Sequence, residues 1–332
     1  MRVAVLGAGA WGTTLADLLA RKGEDVRLWA FEAEVVDGIN REHVNAPFLP
    51  DSPLTPDLVA TGDVREAVRD AEVIVSAAPS HAVGAVARQA AAAVRPDALV
   101  VSVSKGLEPE RLVTMSTVLS ETLGPLVRVA VLSGPSFAQE VYARQPTLVV
   151  AASAAPAVAE AVQRVFATGY FRVYSQSDVI GAELGGALKN VIALAAGMLE
   201  GLGLGHNTRA ALITRGLAEI TRLGVAMGAD PQTFAGLTGM GDLILTATGA
   251  LSRNRTLGLE LGRGKSFAEA RQGKRSVAEG VNTARSAVAL AERHGVELPI
   301  AREVAAILFE GKAPTQAVTD LMDRALKAEV WR

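Results

Sequence analysis

The feature that most constrains this chain stands at its start. A short apolar run at residues 3–6 leads straight into Gly7-Ala8-Gly9-Ala10-Trp11-Gly12, and a helical pattern follows. This is G-x-G-x-x-G in its strand–turn–helix context. The first glycine allows the tight turn, the second lets backbone approach a pyrophosphate, and the third lets the helix pack closely on the strand. The helix N-terminus offers free N–H groups and a positive dipole end to phosphates. An ordinary glycine-rich turn is the alternative; the position at the head of a β-α unit favours dinucleotide binding.

The rest of the first half keeps the same alternation. Strands are predicted at residues 26–29, 73–76, 99–102, 127–132, 148–151 and 172–174, with helical patterns at 13–22, 82–93, 112–123 and 157–166. The strands are Val-rich and apolar on both faces, as in a buried parallel sheet. The expected fold is α/β, with an N-terminal doubly wound (Rossmann) domain carrying helices on both faces. Pro47, Pro50, Pro53 and Pro56 mark an irregular surface segment. Past Ser177 the pattern reads as helices at 179–199, 208–227, 283–293, 300–309 and 315–326, with Asn207 placed to cap the second. The boundary is expected at 175–178, giving a sheet domain of 1–177 and an all-α C-terminal domain of 178–332. Residues 179–199 are apolar or small on every side, which predicts a central buried helix.

Composition narrows the function. The chain has 332 residues, 49 % hydrophobic and 20 % charged, enough for two cores and against disorder. A net charge of -2 gives no basic face for nucleic acid. Cysteine is absent, so disulfides and thiolate metal sites are excluded. His43, His81, His206 and His294 have no metal-ligand spacing, and no metal is expected; His81, near a strand end, is placed to line a cleft. The apolar N-terminus is not read as a signal peptide, because Gly7, Gly9 and Gly12 interrupt it and Asp17, Arg21 and Lys22 follow. No apolar run reaches the roughly 18 residues of a membrane span. A cytoplasmic, soluble protein is expected.

Glu32 lies 20 residues beyond Gly12, where such folds use an acid to hold ribose hydroxyls. A solvated acid opening a short helix is the other reading. Its neighbour Phe31 cannot pair with a 2′-phosphate, so the pair leans towards NAD.

Lys189 is the most unusual ionisable residue. It sits in Glu183-Leu184-Gly185-Gly186-Ala187-Leu188-Lys189-Asn190-Val191-Ile192-Ala193, whose flanks are small and apolar. Most lysines are solvated. A lysine buried in such a helix has its charged form disfavoured, and it can then exchange a proton near neutral pH. Asn190 beside it is suited to holding a carbonyl or hydroxyl. Gly239-Met240-Gly241-Asp242 opens another apolar helix, and Asp242 is either its cap or the group that orients the lysine. Ser252-Arg253-Asn254-Arg255 is either a phosphate grip or a surface loop. Ser104-Lys105-Gly106-Leu107 and Ser133-Gly134-Pro135-Ser136-Phe137 follow strand ends, where ligands of open sheets bind, although both also suit plain turns.

These segments, together with Val277-Ala278-Glu279-Gly280, occur in one order that resembles the bacterial NAD(P)-dependent glycerol-3-phosphate dehydrogenases along essentially the whole chain. The resemblance implies an active site between the sheet domain and the helical domain. It implies that Lys189 is the proton acceptor in glycerol 3-phosphate oxidation. By the same resemblance, Lys105, Gly134, Ser136, Asp242, Ser252, Arg253 and Asn254 contact substrate. Ala10, Trp11, Lys105, Ala138, Arg253, Val277 and Glu279 contact cofactor, beside the Gly7, Gly9 and Gly12 turn. Family members tend to carry a basic residue where Phe31 stands, so the departure here argues against strong NADP preference. The resemblance also implies a homodimer and a supply of glycerol phosphate for phospholipids.

The implied chemistry is hydride transfer to the carbonyl carbon of dihydroxyacetone phosphate, with Lys189 giving the proton and Asp242 and Asn190 holding lysine and substrate. Three alternatives compete: a hydroxy-acid dehydrogenase of similar build, a non-catalytic NAD-binding sensor and a methyltransferase. The Ser-Arg-Asn segment argues for a phosphate, a sensor needs no buried lysine, and the long helical half speaks against a methyltransferase.

Overall fold

The computed structural model describes residues 1–272, 278–326 and 328–329. The first half forms an eight-stranded sheet. Its strands are β1 (Arg2–Leu6), β2 (Asp25–Trp29), β3 (Val59–Thr61), β4 (Val73–Ser76), β5 (Leu99–Ser102), β6 (Arg128–Ser133), β7 (Thr147–Ala152) and β8 (Phe171–Gln176). They lie in the order β3-β2-β1-β4-β5-β6-β7-β8. The sheet is flanked by α1 (Ala10–Arg21), α2 (Ala33–Asp37), α3 (Val64–Val68), α4 (Val83–Ala90), α5 (Met115–Leu123), α6 (Ala138–Tyr142) and α7 (Pro156–Phe166). Two cores sandwich it, one through Val3, Val5, Leu15 and Leu28, the other through Ala4, Leu6, Ile74 and Val100. Alternate residues of one strand therefore feed opposite cores, which explains why the strands read as apolar throughout.

The strand order reverses between β1 and β4, and that switch point opens a crevice at the carboxyl ends of the strands. The glycine turn sits in it. Gly7 has φ +122, and a Cβ on Gly12 would lie 1.9 Å from the Gly7 carbonyl oxygen. Only hydrogen fits there, so the third glycine packs turn against helix as its spacing predicts.

Three expectations for the sheet half need correction. β3 was not predicted: three residues after a proline-rich stretch carry too little periodicity to register. The sheet is not wholly parallel, since β7 runs antiparallel to β6 while β8 runs parallel to β7. Apolar strands do not encode their direction. The proline segment is also not simply surface: Leu49, Leu54 and Thr55 are buried, and the Thr55 N–H donates to Asp17 Oδ1 at 2.7 Å.

Beyond β8 the described chain is helical, through α8 (Val179–Gly201), α9 (His206–Ala226), α10 (Pro231–Ala235), α11 (Asp242–Thr248), α12 (Arg253–Gly262), α13 (Phe267–Arg271), α14 (Glu279–Arg293), α15 (Pro299–Phe309) and α16 (Pro314–Met322). Asp178 caps α8, its side chain accepting the Gly181 N–H at 2.8 Å. Asn207 does not cap α9. That helix begins at His206 after Gly205, which offers no side chain. α8 is long and apolar enough to cross a membrane, but 89 % of its apolar window is buried inside the protein. It is the axis of the helical core, packed by α9, α11, α12 and α14. Its contact with α12 is backbone to backbone: a Cβ on Gly258 would lie 2.0 Å from Leu194 O, and one on Gly262 would lie 2.2 Å from Met198 O. This close crossing carries the start of α12 to the middle of α8.

Candidate active site

Lys189 projects from the centre of α8 and is 6 % exposed. Its Nζ donates to Asp242 Oδ1 at 2.5 Å and to Thr246 Oγ1 at 2.7 Å. Asp242 and Thr246 are one turn apart on α11, so both face the same way. Thr246 in turn donates to the Asp242 carbonyl at 2.7 Å. Asp242 is completely buried, and its second carboxylate oxygen accepts the Lys105 Nζ at 2.7 Å. Lys105 also donates to Gly134 O at 3.0 Å, and the Ser136 hydroxyl donates to the same carbonyl at 3.0 Å. Two strand-end loops and two helices thus meet at one carboxylate.

The electrostatics follow from this crowding. Burial is the main force on Lys189 and lowers it from 10.5 to about 7. Asp242 opposes that fall, and the nearby Lys105 charge adds to it. The amine is therefore poised to hold or release a proton near neutrality.

The neighbouring amides are turned inward. Asn190 Oδ1 accepts from Asn254 Nδ2 at 2.9 Å, and Asn254 Oδ1 accepts the Gly280 N–H at 3.0 Å. This buried chain ties α8, α12 and α14 together. Ser252 Oγ caps α12 by accepting the Arg255 N–H at 3.2 Å. Arg255 binds Glu200 through Nε at 2.9 Å and Nη2 at 2.7 Å. Arg253 remains accessible at the first turn of α12. It lines a cavity of about 990 Å³ together with Ser80, His81, Leu107, Leu257 and Asn282. That cavity reaches Arg253 but not Lys189.

The nucleotide crevice lies across the sheet end. The Ala8 carbonyl is held by Thr13 Oγ1 at 3.2 Å and Asn45 Nδ2 at 2.8 Å. α1 starts at Ala10, and Gly9 supplies no side-chain cap, so the first N–H groups are left for a ligand. A Cβ on Gly9 would have nothing within 4 Å, whereas one on Gly12 would collide. An open cradle over the second glycine and a closed one over the third fit a pyrophosphate. Trp11 is half-buried, with its ring centroid 6.4 Å from that of Phe171. Ala138 begins α6, and its carbonyl accepts from Thr14 at 3.3 Å. Just past the end of β2, Phe31 is 83 % exposed and Glu32 half-buried. Glu279 starts α14 and accepts both the Ser80 N–H at 3.2 Å and the Ser80 hydroxyl at 2.6 Å. Val277 lies outside the described residues.

Most of the sequence-derived candidates therefore gather around two foci, Lys189–Asp242–Lys105 and the glycine turn. Glu32 and Phe31 stand at the outer end of the second. Sequence reasoning missed Thr246 and Asn45. The four-residue spacing from Asp242 signalled Thr246; nothing local signalled Asn45.

Comparison with known proteins matches this arrangement. The description "NAD-dependent glycerol-3-phosphate dehydrogenase N-terminus" fits residues 2–159, and its C-terminus counterpart fits residues 178–319. The chain belongs to the NAD-dependent glycerol-3-phosphate dehydrogenase family. It is 57 % identical to the family member from Geobacter sulfurreducens over 332 residues, covering 99 % of each chain. It is 56 % identical to that from Geobacter metallireducens, over 99 % of this chain and 98 % of the other. The crystal structure of the glycerol-3-phosphate dehydrogenase from Coxiella burnetii superposes with a TM-score of 0.93 at 41 % identity, covering 97 % of this chain and 98 % of that one. Membership accounts for the ordered motifs and for the doubly wound sheet followed by helices.

Proposed function

We propose that this protein interconverts dihydroxyacetone phosphate and sn-glycerol 3-phosphate, with residues 1–177 binding NAD(P) and residues 178–332 supplying the catalytic lysine. The observation that carries the reading is the buried Lys189 ammonium, held by Asp242 and Thr246 beside Lys105. When bound, the nicotinamide supplies the hydride donor or acceptor. Lys189 has three N–H donors, and two are engaged among the described residues. The third is left for the substrate oxygen. In the reducing direction Lys189 gives that oxygen a proton as negative charge develops on it; in the oxidising direction the neutral amine takes the proton back.

Lys105 is oriented in the same way, by Asp242 and by Gly134 O, which Ser136 also engages. Asn190 and Asn254 act as the internal brace of α8 against α12. Arg253 and the N–H groups of the first turn of α12, shaped by Ser252, grip the phosphate. Gly7, Gly9, Ala10, Trp11 and Gly12 receive the pyrophosphate, while Ala138 and Glu279 bound the rest of the crevice. Glu32 holds the adenosine ribose and Phe31 offers no cation, which favours NAD over NADP. The enzyme works in the cytoplasm as a homodimer and feeds phospholipid synthesis.

The test compares dihydroxyacetone phosphate with unphosphorylated dihydroxyacetone and with keto acids, following consumption of NADH and of NADPH. Turnover that requires the phosphate ester supports the proposal. Faster turnover of a keto acid refutes it.

A further inference from the structure

Glu183 precedes Lys189 by six residues on α8 and serves a different neighbour. Six residues advance a helix by about 9 Å and turn it well past a full revolution, so the two side chains leave on different faces. Lys189 meets α11. Glu183 reaches into the sheet half: Oε1 accepts the Ser116 N–H at 2.9 Å and Oε2 accepts the Ser116 hydroxyl at 2.5 Å. Glu183 is 6 % exposed.

The site of contact is the start of α5. Thr114 is the N-cap residue of that helix, and its side chain makes no capping bond. A helix start leaves N–H groups unsatisfied, and its dipole favours an anion there. The missing cap is supplied from another element, by a carboxylate of the helix that carries the lysine. Between the two residues, α8 lies directly on the strand-end loops. A Cβ on Gly186 would be 2.9 Å from Ser133 Oγ and 3.5 Å from Lys105 Cγ. Any slip of this half of α8 changes how Lys189 faces Lys105 and Asp242.

We propose that Glu183 is a positioning residue for the reaction: by capping α5 from within α8, it sets the depth at which Lys189 sits beside Asp242 and Lys105. The inference rests on the reading of Lys189 as the proton carrier. Glu183 acts through α8, and its own hydrogen bonds go to the start of α5 rather than to the first turn of α12 that grips the phosphate. Loosening the cap lets this half of α8 slip and relaxes the packing that buries Lys189. The charged groups facing Lys189 are Asp242 and Lys105, and the slip changes its approach to both. With burial relaxed, Lys189 moves up from about 7 towards its ordinary 10.5.

The test uses the whole enzyme with Glu183→Ala, Glu183→Gln and Ser116→Ala. It measures kcat and KM for dihydroxyacetone phosphate reduction across pH, with thermal melting of each variant. Glu183→Ala is expected to lose about 10-fold to 100-fold in kcat, the scale of a small misplacement. KM should stay within about 2-fold, since the phosphate grip is untouched. The pH at which activity declines should rise by about half a unit or more. Ser116→Ala keeps its backbone N–H and should shift the same way by less; Glu183→Gln should fall between the two. If Glu183→Ala does not fold, the other two variants decide. The inference is overturned if Glu183→Gln and Ser116→Ala melt like the parent and leave both kcat and the pH midpoint in place. Lys189→Ala, run alongside, separates the readings: if that variant keeps full turnover, the assignment of Lys189 has failed rather than that of Glu183.

Discussion

Lys105 and Lys189 share a single carboxylate, each holding one oxygen of the buried Asp242 at 2.7 Å and 2.5 Å. The Lys105 charge pushes the proton affinity of Lys189 down while the acid between them pushes it up. Removing either partner must therefore move Lys189 in opposite directions. Asp242→Asn is expected to lower Lys189 further, so that reduction of dihydroxyacetone phosphate declines at lower pH. Lys105→Ala is expected to raise it, so that the decline comes at higher pH. Profiles of kcat against pH for both variants check this; a shift of the same sign in both contradicts it.

Arg253 is the accessible arginine of its segment, since Arg255 is committed to Glu200. Arg253→Ala should raise KM for dihydroxyacetone phosphate by about 10-fold or more, the loss expected for a charged hydrogen bond. The kcat at saturating substrate and the melting temperature should hardly change. Steady-state kinetics with thermal melting distinguish this from general damage to the fold.

The two glycines of the nucleotide turn make contrasting demands. Gly9→Ala places a methyl group in open space, whereas Gly12→Ala drives one into the Gly7 carbonyl. Gly9→Ala should melt like the parent and bind NADH less tightly. Gly12→Ala should be destabilised by about 1–3 kcal/mol, the scale of an overpacked contact. Melting curves and NADH fluorescence titrations check both.

Glu219 is a separate, stability-linked group. It is 4 % exposed and accepts the Ile300 and Ala301 N–H groups at 2.8 Å and 3.3 Å. Burial raises it from 4.5 to about 7, against the pull of those two bonds. The folded state thus binds this proton more tightly than the unfolded chain. Its contribution is full below about pH 4.5 and is lost as pH rises through about 7. Glu219→Gln removes the titration. The variant should flatten the fall of melting temperature across that window, as measured by thermal denaturation at a series of pH values.

What the sequence revealed and what it hid follow one division. Local chemistry was legible. Gly7, Gly9 and Gly12 fix a turn whose geometry needs no distant partner, and Lys189 stands out because its own helix is apolar around it. Partners supplied by distant segments were not legible. Asn45, which pins the Ala8 carbonyl, comes from a proline-rich stretch that read as surface. Ser116 meets Glu183 only once two elements dock. Asn254 read as a phosphate contact because its side chain is polar and sits beside an arginine, yet folding turns that amide inward onto Asn190 and Gly280. The antiparallel β7 escaped because an apolar strand carries no mark of its direction.

The most direct test of the account is turnover of Lys189→Met with dihydroxyacetone phosphate and NADH, alongside an NADH binding titration. The account predicts that cofactor affinity is kept and that kcat falls by about 10²–10⁴-fold, the range for a lost acid–base group. Unchanged kcat with weakened NADH binding would contradict it and would make Lys189 a cofactor contact rather than the carrier of the proton.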